Sequence, residues 1–251
     1  FLQPGVTWVL DRDHAAKIIV AVDVSESMDT ADAHADKASL LRWARSLELI
    51  GNATTDDRLD RWISELENGL EPTWIQASEA ATAASRAELT RLRKANVEQV
   101  IETVRALPRR EIATRLLNAT SQPLLKQFNE IGAVEVRAFA AKVETLDESL
   151  LEESLTGPRP SLLPQQSDLG VATALNIADD TSKVMGVVML TDGRHNADKN
   201  PLQAAMRLGT LNTPMIPVMI GSELRPIDIS VVSLDHPRVV FQNDTPVVTC
   251  I

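Results

Sequence analysis

The chain has 251 residues, a formal net charge of −10, one cysteine and no tyrosine. This acidic balance argues against a nucleic-acid surface and against attraction to anionic lipid, and the scarcity of aromatics argues against a base-stacking platform. The lone cysteine, Cys250, rules out an internal disulfide framework and any cysteine-based zinc centre.

No apolar run approaches the roughly 20 residues of a membrane span. Residues 1–15 read as a lead-in to the first ordered element, with a membrane helix upstream of Phe1 as an expectation. Residues 16–22 are rich in Ile and Val and alternate poorly, as a strand buried on both faces does. A helix is expected from Asp29 to Leu49, with Leu40, Leu41, Ala44 and Leu47 on its apolar stripe and Gly51-Asn52 as its stop.

Residues 56–131 differ in character. They alternate charges, hold few β-branched runs and keep helical spacing, with Pro72, Pro108 and Pro123 dividing them into three or four helices. The expectation is a helical insertion packed against a sheet domain. Residues 133–140 alternate as a strand, and Gly157-Pro-Arg-Pro160 and Pro164-Gln-Gln166 mark a loop. A helix over Leu169–Ala178, a buried strand over 186–190 and a helix over Pro201–Leu211 follow, the last with Pro at its first turn.

Met215 to Gly221 is another buried strand, whose Pro217 points to a position near a sheet edge. Strands alternating with helices imply an α/β fold: a Rossmann-like, doubly wound, mostly parallel sheet flanked by helices, with sites at the strands' carboxyl ends. From residue 227 to 251 only strand patterns remain, as at the start of a truncated β-sandwich module.

The chemistry sits where apolar runs stop. Lys17-Ile-Ile-Val-Ala-Val-Asp-Val-Ser-Glu-Ser-Met28 ends on one carboxylate and two spaced hydroxyls. Asp23, Ser25 and Ser27 alternate, so an extended loop can aim them to one side. The run ending at Leu190 leads into Thr191-Asp192-Gly193, and Ser167-Asp168-Leu169-Gly170 opens a helix between the two. Hydroxyls with two carboxylates form an oxygen-only shell of modest charge, suited to Mg²⁺ or Mn²⁺ rather than zinc. The competing reading for Asp23 and its serines is a helix N-cap, and Ser167-Asp168 is also a good helix start. His195 is read as a rim or loop residue, and the cluster Asp29, Asp32, His34 and Asp36 as a first turn that complements a helix dipole.

On these three motifs the chain resembles the von Willebrand factor type A domain family. Its metal-ion-dependent adhesion site carries Asp-x-Ser-x-Ser, a Thr in a second loop and an Asp in a third. The first motif matches at Asp23, Ser25 and Ser27 and the third at Asp192, while Ser167 stands where the family usually has Thr; Thr173 is the fallback ligand. The resemblance covers roughly residues 16–55 and 132–222 and is silent on 56–131. It implies a non-catalytic, metal-dependent protein-binding domain over 16–226 that captures an acidic residue of a protein partner, with Mg²⁺ (or Mn²⁺) as cofactor. It is similar to a bacterial sub-group in which such a domain follows membrane helices and precedes an immunoglobulin-like module, which implies the extracytoplasmic face of a membrane.

Two other function classes compete. An Mg²⁺-dependent phosphohydrolase would use Asp23 as nucleophile, but Ser25 stands where haloacid-dehalogenase-like enzymes carry their second Asp. A scaffold would act through the helical insertion, with Trp62 and Trp74 as core anchors or interface residues.

Overall fold

The structure, a computed structural model, describes residues 16–50, 56–118, 124–147, 151–172, 184–222, 234–235 and 249–250. Five strands form one sheet: β1 (Lys17–Asp23), β2 (Ala133–Phe139), β3 (Val143–Thr145), β4 (Val184–Thr191) and β5 (Met215–Met219). Their order is β3-β2-β1-β4-β5. β1 pairs in parallel with both β2 and β4, and β4 in parallel with β5, whereas β3 turns back antiparallel on β2. The fold is therefore α/β with a mixed, mostly parallel sheet.

β1 is the central strand, and its composition explains why. Ile18, Val20 and Val22 enter a core shared with Val136, Ala138 and Leu190, while Ile19 and Ala21 face the opposite side. Helices are needed on both faces to cover such a strand. On the first face lie α4 (Arg109–Leu117), α5 (Leu124–Ile131) and α6 (Leu151–Thr156), through Ile112, Leu117, Leu125 and Leu155. On the second lie α7 (Leu169–Ala172) and α8 (Pro201–Thr210), through Ala172 and Leu208.

The segment 56–131 divides in two. α2 (Asp56–Glu67) and α3 (Ala83–Arg105) pack with α1 (Lys37–Ser46) around Leu40, Leu41, Leu59, Trp62, Ile63, Val97 and Ile101. α4 and α5 instead lie on the sheet itself. Trp62 is buried, donates its indole N–H to the Thr73 carbonyl at 2.9 Å and packs on Trp74 with ring centroids 5.2 Å apart. Both tryptophans thus serve the helical core.

Several boundaries differ from the sequence expectation. α1 begins at Lys37 rather than Asp29, because Asp36 is its N-cap and accepts the Ser39 N–H at 2.9 Å. Asp29 and Asp32 precede that cap, and ion pairs with arginines hold them instead. α1 ends at Ser46, and Glu48 takes the left-handed backbone expected of a Gly or Asn, with φ at 57°. Gly51-Asn52, Thr173 and the end of the 169–178 helix lie outside the described residues. β5 sits at an edge of the sheet among the described residues, as Pro217 indicates, but it is not the buried strand expected: Ile216 and Met219 are more than half exposed, because only β4 flanks it. From the 227–251 segment the structure describes one antiparallel pair, β6 (Leu234–Asp235) with β7 (Thr249–Cys250).

Candidate functional site

Parallel register brings the motifs together. Asp23, the last residue of β1, pairs with Phe139 at the end of β2, and Val22 pairs with Leu190 next to Thr191 at the end of β4. The 167–168 loop joins the same edge, because the Asp168 N–H donates to the Ala140 carbonyl just past β2. Sequence-distant residues therefore meet at one carboxyl edge.

Asp23 is fully buried. One carboxylate oxygen, Oδ1, accepts the Ser25 N–H at 2.9 Å; the other, Oδ2, accepts the Ser167 hydroxyl at 3.2 Å and the Thr191 hydroxyl at 2.8 Å. Among the described residues no cation pairs with it. Burial pushes its carboxyl above the ordinary carboxylate value, against the lowering effect of the Ser25 and Thr191 hydrogen bonds, and the nearby Asp192 charge adds to the rise.

The hydroxyls follow from the turn after β1. Ser25 precedes a short 3-10 turn, Glu26–Asp29, held by the Met28 N–H donating to the Ser25 carbonyl. Met28 points into the core and pins that turn. The Ser25 and Ser27 hydroxyl oxygens lie 3.1 Å apart. That contact is a hydrogen bond between the two hydroxyls, which holds both side chains on the same side of the turn. Among the described residues no cluster of three or more His, Cys, Asp or Glu side chains is placed to hold a metal, so a site here must draw on hydroxyls.

Ser167 is fixed from the β4 side: its N–H donates to the Asn196 side-chain oxygen at 2.6 Å, and the Asn196 N–H returns to its carbonyl. His195 braces the same loops. Its Nδ1 faces the Leu169 N–H at 3.4 Å and its Nε2 the Lys199 carbonyl at 2.6 Å, so the ring joins loop to loop. Asp168 accepts the Gly170 N–H and caps α7.

Asp192 is buried to 3% side-chain exposure but lies in a different arrangement from Asp23. Its Oδ1 accepts the Arg194 N–H at 3.0 Å, and its Oδ2 takes the Arg109 Nη1–H at 2.9 Å. Arg109 also donates from Nη1 to the Ser27 carbonyl and clasps Asp32 through Nε and Nη2 at 2.9 and 2.5 Å. The paired Asp32 carboxylate holds the guanidinium above the usual arginine value despite partial burial. Its neighbour Arg110 donates to the Val24 carbonyl and to Asp29, each from Nη2.

The sequence reading missed Arg109, Arg110, Thr191 and Asn196, and it misplaced Asp32. One signal was available for the arginines: two adjacent cations in the first turn of α4 run against the helix dipole, which calls for anions brought from elsewhere.

No known family profile matches the chain, and no curated protein matches it. Among solved structures it is similar to proximal thread matrix protein 1 from the mussel byssus, at 14% identity and a TM-score of 0.35. That alignment covers 82% of this chain and 37% of the mussel chain.

Proposed function

We propose that this chain is a non-catalytic, divalent-cation-dependent protein-binding domain of the von Willebrand factor type A kind, acting in a larger membrane-associated protein with its site on the extracytoplasmic side. The carrying observation is Asp23: a fully buried carboxylate at the sheet's carboxyl edge, hydrogen-bonded to hydroxyls and lacking a cation partner among the described residues. Burying an anion without a counter-charge is costly, and a divalent ion beside it removes much of that cost.

Asp23, Ser25, Ser27, Ser167 and Asp192 would hold Mg²⁺ or Mn²⁺, and the bound ion would supply an electrophilic point for an acidic residue of a protein partner. The chain's own part is to orient: the 3-10 turn sets the serine pair, and Thr191 and Ser167 fix the Asp23 carboxylate. A phosphohydrolase reading is less well supported, because the Asp23 side chain is fully buried, out of line for an approaching phosphorus, and Ser25 stands where such enzymes carry their second Asp.

The test is a thermal melt in EDTA and then in Mg²⁺ or Mn²⁺, beside Asp23→Ala and Asp192→Ala. At a hundred times the dissociation constant, native-state binding adds about 2.7 kcal/mol, or roughly 5–10 °C in a domain of this size. A rise in the wild type alone supports the reading. A flat wild type, or an equal rise in the variants, overturns it.

A further inference from the structure

The cluster around Arg109 performs none of the tasks assigned so far. α4 is tied to the loop after β1 by backbone: the Arg109 N–H donates to the Thr30 carbonyl at 3.0 Å, and Ala31 forms a bridge with Pro108. From that anchor the guanidinium lies between Asp32 and Asp192, with all three side chains at most 8% exposed. A second element is shaped around it. Gly221, just beyond β5, has φ at +128°, and a Cβ there would stand 2.8 Å from Arg109 Nε and 3.3 Å from an Asp32 oxygen. The backbone therefore leaves a niche that the ion pair fills.

Asp192 is also a candidate metal ligand, and the oxygen that Arg109 engages is one of the two it could offer. Two cations on one carboxylate repel each other, and in a buried site that repulsion is poorly screened. We propose that Arg109 is a tethered counter-cation that competes with the divalent ion for Asp192, so that metal loading and docking of the α4 end oppose each other. This rests on the metal reading above and adds its regulation. Asp32, which already clasps the guanidinium through Nε and Nη2, keeps Arg109 when Asp192 turns to the ion. The loosened segment is Thr30–Asp32 with the first turn of α4, so occupancy at the sheet edge is reported to the helical segment.

The test is a calorimetric Mn²⁺ titration of the full chain and of the double variant Arg109→Met/Asp32→Asn, which removes one charge of each sign and leaves the local net charge unchanged. Coupling energies of this kind correspond to 5–150-fold in affinity, and the double variant should bind Mn²⁺ about tenfold more tightly. Equal or weaker binding overturns the competition. Should that variant fail to fold, hydrogen exchange on the wild type decides. Mn²⁺ at saturation should speed exchange of the Arg109 amide, bonded to Thr30, while amides in β1 slow or stay constant; an unchanged Arg109 amide under saturating Mn²⁺ overturns the proposal. The two readings fail differently. If Mn²⁺ binds neither protein, the metal reading falls and this one with it. If it binds both equally and Asp192→Ala abolishes binding, the metal site stands and the competition alone is refuted.

Discussion

Glu79 ties the helical layer together, and its removal has a calculable signature. It accepts two hydrogen bonds from Arg93 at 2.8 and 3.1 Å, pairs with Arg58, and takes the Gln76 N–H at 2.7 Å. The Arg93 bonds foremost, then the Gln76 N–H, hold its carboxyl at about 2 instead of 4.5. Taken at face value that difference amounts to about 3 kcal/mol. The three side chains are about one-fifth exposed, so screening reduces the expectation to about 1–2 kcal/mol.

A group whose folded pKa is depressed stabilises the protein above its unfolded value and loses that contribution as pH falls through the folded one. The gap between wild type and Glu79→Gln should therefore be full at pH 7, shrink below pH 4.5 and close near pH 2. Urea denaturation of both proteins at several pH values reads it, and the difference cancels the carboxylates common to both. It should also narrow in 1 M salt. A gap that is absent at pH 7, or that stays constant down to pH 2, would refute the reasoning.

Two further substitutions probe other layers. Trp62→Ala removes the buried indole from between α2 and the Trp74 ring and should cost about 3–5 kcal/mol in denaturant titration, leaving Mn²⁺ affinity of the remaining folded protein unchanged. Gly132→Ala places a Cβ against the Ala16 carbonyl oxygen between α5 and β2; a loss of about 1–3 kcal/mol is expected, and a neutral result would mean the two segments can part without penalty.

How much of this was legible in the sequence depended on what each residue has to do. β1 and β4 stood out because a strand covered on both faces needs an unbroken apolar run, and Ile18 to Val22 supply one; β5 carries a similar run although Ile216 and Met219 lie more than half exposed at the sheet edge. β3 left no such trace: three residues, Val143–Thr145, are fixed by pairing with β2 more than by their own pattern. The carboxylate of Asp23 and the hydroxyls of Ser25 and Ser167 could be named in advance, since they follow local turns whose spacing is visible. Thr191 stood in a visible motif, but its hydroxyl bond to Asp23 was not visible, since nothing in the spacing links the ends of two distant strands. Asp32 was absorbed into a helix that begins only after Asp36, and Arg109 was hidden among the alternating charges of the 56–131 segment. Long-range ion pairs carry no periodicity, so only the coordinates bring Asp32, Arg109 and Asp192 together.

The pairing of β1 with β2 has a consequence for how the molecule comes to exist. Lys17 meets Ala133 across more than a hundred residues of intervening chain, and both strands run the same way. Closing so long a loop before any contact compensates for it is entropically expensive, and topologies rich in such contacts fold slowly. The helices between the strands shorten that distance if they form first, because α1, α2 and α3 share a core that needs no strand. Biogenesis would then run from the periphery inward: a helical knot consolidates early, and the edge that gathers Asp23, Ser167 and Asp192 is assembled last, once β4 has been synthesised and docked.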